Sequence, residues 1–348
     1  MNDYVNSLIK EIFLYRDKLS SYKVKTVFIG GGTPSLLDNN NMKKIINTIK
    51  ENCTLDKDAE ISIEVNPGTV NKEKLQQYYE LGINRLSIGL QSCYNRSLKF
   101  LGRIHTYEEY LRNLMEAREV GFTNINTDLI FALPNQTIEE WKYCISELVR
   151  LEVPHISTYS LIIEEETPLF TWVEEKKIEP LDEDTDLDMY KEGIRLLEEH
   201  GYKHYEISNF SLSNYECMHN INYWLNGEYF GFGAGSHSNI NKSRYSNFGG
   251  LNEYIEMLNE NNFPVDNVIP STLEDEISET MFLGLRLIDG ISISEFEKRF
   301  GKTPKEIYGD TILKLIEQKL IEYSCERIKL TKSGLYLSNI VFQELLLD

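Results

Sequence analysis

Nothing in the chain reaches the roughly 18 consecutive apolar residues that a bilayer-spanning helix needs. Basic residues are in deficit: 36 Lys and Arg stand against 55 Asp and Glu, a formal charge of −19. A surface that acidic repels phosphate backbones, so general nucleic-acid binding is disfavoured. Cysteine is sparse, with Cys53, Cys93, Cys144, Cys217 and Cys325 far apart in the chain. No C-x-x-C or related chelating spacing exists, and an odd number argues against a disulfide framework. Each cysteine reads as a reduced, partly buried small side chain. The opening stretch, MNDYVNSLIKEIFLYRDKL, is too charged for a secretory signal, which makes the cytoplasm the expected location. Low-complexity tracts and short-period repeats are absent. What is left is 348 residues of ordinary globular composition, enough for one large domain and a small one.

The first two hundred residues alternate two patterns. β-rich runs come at KTVFI (25–29), EISIEV (60–65), RLSIG (85–89), NINTDLIF (124–131) and HISTYSL (155–161). Between them lie stretches of helical period, from about Asn41 to Ile49, Lys72 to Leu81, Tyr107 to Val120 and Ile138 to Leu151; Thr137 and Glu140 have capping-box spacing. Strands alternating with such helices predict βαβ units and a parallel sheet, either a (β/α) barrel or an open doubly wound sheet. The chain starts with a helix, Val5, Leu8, Ile9, Ile12 and Phe13 sharing one face, and with no strand before it. A barrel normally opens with a strand, so the expectation is a partial barrel lacking its first.

Beyond Leu181 the pattern changes. A long acidic helix (about Asp184–His200) leads into YKHYEISNFS, then an aromatic and glycine-rich stretch (217–238), then an Asn-rich segment around a helix at Leu251–Leu258. After Ser271 come three helices, a hairpin at IEYSCERIKLT and a last helix, the order of a winged-helix-like α+β module. With 10 basic and 14 acidic residues in 271–348, that module reads as structural or partner-facing rather than DNA-binding.

Ligands of parallel α/β folds bind at the carboxyl ends of the strands. After the first run comes Gly30-Gly31-Gly32-Thr33-Pro34-Ser35, a loop whose glycines let backbone approach a ligand. It lacks the lysine of a P-loop and the spacing of a dinucleotide fingerprint, and by itself serves equally as a structural turn. Glu64 ends the second run, before Asn66-Pro67-Gly68. Gln91 and Ser92 follow the third, Arg103 lies twelve residues past Gln91, and Asp128 precedes Ala132-Leu133-Pro134. Taken singly, each is more often surface or capping; five consecutive strand ends of this kind predict a pocket for a polar, zwitterionic small molecule with a sugar.

In order, GGGTPS, EVNP, GINRLSIGLQS, LGRIH, DLIFALPNQT, HIS-x-Y-x-L and YEISNFS closely resemble the radical S-adenosylmethionine (SAM) enzymes of the oxygen-independent coproporphyrinogen III oxidase group, and the resemblance covers nearly the whole chain. It implies a (β/α) radical SAM barrel over 1–200, a linking segment over 201–270 and the winged-helix-like domain over 271–348. It also implies that Gly31, Gly32 and Thr33 hold the methionine end of SAM, Glu64 and Gln91 its ribose region, and Arg103 its carboxylate. Asp128 would complete the site, and the strand at 159–162, with Ile162, would give backbone to the adenine.

The group contains true oxidases and haem-binding chaperones. The shorter chain and the H-N-x-x-Y-W motif, His219-Asn220-Ile221-Asn222-Tyr223-Trp224, favour the chaperone: haem bound, His219 on its iron from a loop beyond the barrel strands, and delivery to haem proteins, a membrane-associated acceptor among the candidates. The alternative is an oxidase-type radical SAM enzyme. Imidazole is a common axial ligand of haem iron, and flat aromatics suit a porphyrin face; without the resemblance, the same residues read as a core cluster. His237, in GAGSHS, reads as structural. One departure is decisive. The family holds a [4Fe–4S] cluster with C-x-x-x-C-x-x-C after the first strand, and these 348 residues contain no such triplet. An N-terminally shortened copy, with Met1 an internal methionine, is expected rather than natural loss of the cluster, because the SAM-pocket residues keep their type and order.

Overall fold

A computed structural model describes residues 1–347. The chain opens with helices α1 (Asn2–Leu14) and α2 (Arg16–Leu19), then alternates β1 (Lys23–Ile29), α3 (Asn39–Asn52), β2 (Thr54–Val65), α4 (Lys72–Glu80), β3 (Arg85–Gln91), α5 (Asn95–Phe100), α6 (Tyr107–Val120), β4 (Asn124–Phe131), α7 (Ile138–Arg150) and β5 (His155–Ser160). Helices α8 (Pro168–Glu174) and α9 (Glu183–Glu199) lead to β6 (Lys203–Glu206) and β7 (Asn209–Ser211). These strands form one sheet in the order β1-β2-β3-β4-β5-β7-β6. Strands β2 to β5 run parallel. The expected α/β class and partial barrel are therefore found, with one departure. YKHYEISNFS, unassigned from the sequence, supplies β6 and β7, and both pairings of β7 are antiparallel. The two residues between them, Ile207 and Ser208, can only turn the chain back on itself; a parallel return needs a crossover of a dozen or more.

The sheet has two chemically opposite faces. Ile61, Ile63 and Val65 of β2, Leu86 and Ile88 of β3, and Ile125 and Leu129 of β4 are buried. They alternate with Ser62 and Glu64, Arg85 and Ser87, and Asn124, Asn126 and Asp128. A parallel sheet covered by helices on both faces is apolar on both; here only the helix-covered face is. Helix α7 shows the covering: capped by the Thr137–Glu140 box, it buries Trp141, Cys144, Ile145 and Leu148, and the Trp141 indole N–H donates to the Met189 carbonyl of α9 at 2.8 Å.

Contacts divide the chain into two compact units, neither of them continuous. One comprises Met1–Val27, Leu37–Glu60 and the chain from Cys217 onward; the other comprises Phe28–Leu36 and Ile61–Glu216. Boundaries at 200 and 270 thus follow the order of motifs along the chain, whereas contacts follow a different partition.

In the first unit, α1 packs on α3. Beyond residue 217 come α10 (Met218–Trp224), β8 (His237–Ile240), β9 (Ser243–Asn247), α11 (Leu251–Asn259) and β10 (Val265–Pro270), the strands forming a small antiparallel sheet. Glu11, fully buried in α1, ties this region together. Its carboxylate accepts from the Gly233 N–H at 2.8 Å, the Asn247 amide at 2.6 Å and the Tyr254 hydroxyl at 2.6 Å. The C-terminal stretch holds α12 (Leu273–Gly284), β11 (Ile291–Ser292), α13 (Ile293–Phe300), α14 (Pro304–Glu317), β12 (Ile321–Tyr323), β13 (Arg327–Leu330), α15 (Lys332–Tyr336) and α16 (Ser338–Glu344). The three helices, hairpin and last helix expected there are present, and β11 adds a third strand to the hairpin. Met281, Leu285, Phe296, Ile312, Leu315, Ile328, Val341 and Leu345 give the stretch its own apolar core.

Candidate functional site

In the second unit, the carboxyl ends of the strands surround a cavity of about 280 Å³ lined by Gly32, Thr33, Glu64, Asn66, Ser87, Gln91, Arg103 and Asp128, among others. The glycine loop after β1 forms one wall. Gly31 and Gly32 have φ of 80° and 117°, a region closed to most side chains. A Cβ on Gly30 would lie 2.8 Å from a Glu64 carboxylate oxygen, so the loop rests directly on that carboxylate, and the Gly31 N–H donates to it at 3.2 Å. The Asn66 amide donates to the Thr33 hydroxyl at 3.1 Å and holds the far end of the loop.

Gln91 reaches the cavity through a register shift in β3 opposite β4. Its φ is 72°, strain of a kind that collects at ligand sites. Arg103 follows α5; its backbone N–H bonds to Leu98 at 2.9 Å. The buried His105 beside it is pinned to the Leu90 carbonyl at 3.2 Å. The Arg103 Nε is buried and has no acceptor among the described residues.

The two carboxylates are protonated more readily than usual. Burial pushes the Glu64 carboxyl up and the Asp128 charge adds to this, while the Gly31 N–H opposes it. Burial also raises Asp128, against hydrogen bonds from Asn126, Ser157 and Ser87. Two carboxylates, a guanidinium with a free donor, amides and an open glycine backbone can together grip a zwitterion bearing hydroxyl groups.

The structure brings Gly32, Thr33, Glu64, Gln91, Arg103 and Asp128 to this one cavity, with Gly31 in its loop. Ile162 is not brought there: β5 ends at Ser160, and Ile162 is 73 % exposed beyond it. Ser87 lines the cavity as an addition to the residues singled out from sequence, Asn66 of the strand-end Asn66-Pro67-Gly68 lines it too, and Asn126 donates to the Asp128 carboxylate at 2.8 Å. For Asn126 the signal was legible in the polar alternation N-x-N-x-D of β4, which an apolar parallel strand does not carry.

The H-N-x-x-Y-W segment lies in the first unit. It forms helix α10, not a loop, which corrects the expectation. Cys217, at the N-cap, offers no side-chain cap. Glu60 replaces it from β2: its carboxylate accepts the backbone N–H of Met218 at 3.1 Å and of His219 at 3.2 Å, and the Cys217 thiol at 3.6 Å. Both ring nitrogens of His219 are engaged, Nδ1 with the Thr26 hydroxyl at 2.9 Å and Nε2 with the Tyr223 hydroxyl at 3.1 Å. Burial lowers the His219 pKa, opposed by the Glu60 charge; burial pushes the Tyr223 phenol up to about 12. Asn220 is half-buried. Trp224 carries the Arg286 guanidinium 4.4 Å above its ring. Thr26 and Glu60 lie 193 and 159 residues from His219, and no local pattern marks them. His237 is exposed and opens β8, where its backbone pairs with Ser246.

Cys93, Cys144 and Cys217 are buried, Cys53 is half-buried and Cys325 is exposed. Cys93 and Cys144, read singly from the sequence, are neighbours: the Cys93 N–H donates to the Cys144 sulfur at 3.4 Å. Among the described residues no group of three His, Cys, Asp or Glu side chains is placed so that it could hold a metal ion. Among the described residues no helix is long and apolar enough to cross a membrane.

Residues 5–148 match the radical SAM superfamily and 271–337 the HemN C-terminal domain. The chain is 36 % identical over 345 residues to the haem chaperone HemW of Lactococcus lactis, covering 99 % of this chain and 89 % of the relative. HemW of Bacillus subtilis is 36 % identical, with 98 % and 90 % covered. The coproporphyrinogen III oxidase HemN of Escherichia coli, a radical SAM enzyme, superposes with a TM-score of 0.85 at 23 % identity, over 99 % of this chain and 83 % of that one; this likeness shows the fold. The chain belongs to the radical SAM superfamily and, within it, to the family of the haem chaperone HemW.

Proposed function

We propose that this protein is a haem chaperone: it binds haem at α10, with His219 as an axial ligand, and passes it to haem proteins. The observation that carries this reading is the state of His219. Its imidazole is neutral, because burial lowers its pKa, and neutral imidazole is the ligating form. With Nδ1–H donated to Thr26, the Nε2 lone pair points at the Tyr223 hydroxyl, a partner that can turn aside. Iron then replaces one hydrogen bond, and the Thr26 bond keeps the ring oriented. HemW relatives bind haem by name, and the segment is of the type those chaperones carry.

SAM is proposed for the strand-end cavity, Gly31, Gly32 and Thr33 taking the methionine end, Glu64 and Gln91 the ribose region, Arg103 the carboxylate and Asp128 completing the site, with backbone near Ile162 at the adenine. Bound SAM supplies sulfonium chemistry there; this chain's residues bind and orient it. Haem-accepting proteins are the proposed partners and the cytoplasm the proposed location.

The test is a haem titration read by Soret absorbance. His219→Ala shifts or abolishes the Soret band of the bound form, and His237→Ala changes it less. Binding persists at the ordinary imidazole pKa of about 6.5 and is lost below it, because the folded His219 protonates later. A wild-type Soret spectrum retained by His219→Ala, at matched protein and haem, overturns the assignment.

A further inference from the structure

Trp224 and Arg286 share an unmet demand. Arg286 sits in the turn after α12, its backbone N–H bonded to Leu283 at 3.1 Å. The end of α10 is pinned to α12 by the Asn226 amide, which donates to the Thr280 hydroxyl at 3.2 Å. In this arrangement the Arg286 Nε and the Trp224 Nε1 are both buried, and neither has an acceptor among the described residues. Glu279, two turns earlier on α12, is committed to Arg244 at 2.8 Å. Buried indole and guanidinium N–H groups normally find partners. Two such donors side by side, one of them on a stacked cation, lack an acceptor, and the charge says that it is an anion. A guanidinium presents a planar fork that fits the two oxygens of a carboxylate, and an indole N–H only donates.

Haem carries two propionate carboxylates at its edge. We propose that Arg286, stacked on Trp224, and the Trp224 indole N–H receive a haem propionate. This rests on the haem reading above, because His219 and Trp224 belong to the same short helix: one segment then addresses the iron and, with Arg286, a carboxylate.

The full-length chain is titrated with haem and with haem dimethyl ester, whose propionates are uncharged. Arg286→Gln raises the Kd for haem by about tenfold to about a hundredfold, with the Soret position unchanged because the iron ligand is intact. Arg286→Lys, which keeps the charge but loses the fork, falls between. The wild type binds the diester more weakly than haem by a similar factor, and Arg286→Gln leaves diester binding unchanged. This wild-type comparison needs no variant to fold; circular dichroism checks the variants. Equal binding of haem and diester by the wild type, or equal weakening of both by Arg286→Gln, overturns the proposal. If His219→Ala keeps its Soret spectrum while the diester penalty stands, the iron ligand is wrong and the propionate site survives. A wild type that binds no haem ends both.

Discussion

Arg103 is the cation most exposed to test in the strand-end cavity. Its buried Nε has no acceptor among the described residues, so removing it breaks no hydrogen bond of that nitrogen, and its loss reports on the ligand. Arg103→Ala is expected to weaken SAM binding by about 2 kcal/mol, roughly thirtyfold, the worth of a charge-assisted hydrogen bond. Isothermal calorimetry decides: an unchanged SAM affinity removes Arg103 from the carboxylate. Gln91 carries a different lesson. Its position at a strand end was readable, but its φ of 72° was not, because that strain is imposed by the register of β3 on β4 and not by any neighbour in sequence.

Helix α10 cannot hold itself. Seven residues are too few for a stable isolated helix, and no side chain of its own caps it. Two of its free N–H groups are satisfied by Glu60 on β2. Glu60→Ala leaves both without that acceptor and is expected to cost about 1–3 kcal/mol, lowering the urea midpoint of unfolding and weakening haem binding together. Glu60→Gln, which keeps an acceptor oxygen, costs less. Haem affinity untouched by Glu60→Ala would mean that α10 is ordered by something else. The long helices needed no such help. Thr106 with Glu109 and Thr137 with Glu140 cap α6 and α7 from within, which is why their sequence period sufficed to place them.

For the whole molecule, buried histidines set an acid limit. Burial holds His105, His155, His204 and His219 below the ordinary imidazole pKa. His204, stacked on Phe210 at 4.3 Å, is lowered to about 4. The unfolded chain protonates it near 6.5, so its contribution is whole above that pH and is lost as pH falls towards about 4, a change of roughly 3 kcal/mol. Burial-raised carboxyls at Glu11, Glu64 and Asp128 act with the opposite sign, so the single-site comparison is the clean one. His204→Gln, measured by urea unfolding at pH 7 and pH 4.5, should gain on the wild type at the lower pH; parallel losses in both would refute the burial argument. Cluster chemistry is also a property of the whole chain, since thiolates must meet in space. Anaerobic reconstitution with iron and sulfide is expected to give no stable [4Fe–4S] centre, and a stoichiometric one would contradict the absence of converging ligands among the described residues.

Periodicity, capping residues and strand-end polar residues sufficed, from the amino-acid order alone, for the α/β class, the parallel strands and most of the cavity, because each of those signals is local. The family motifs are likewise contiguous strings. Tertiary structure decided what depends on distant residues meeting. It turned Lys203–Glu206 and Asn209–Ser211 into antiparallel strands on one side of the sheet, made the His219 segment a helix under Glu60, set Thr26 against the His219 ring, and put Cys93 beside Cys144. It also stacked Arg286 on Trp224, 62 residues apart in sequence. Such pairings have no period and no spacing; burial creates them, by forcing each buried polar group to find a partner wherever the chain has brought one.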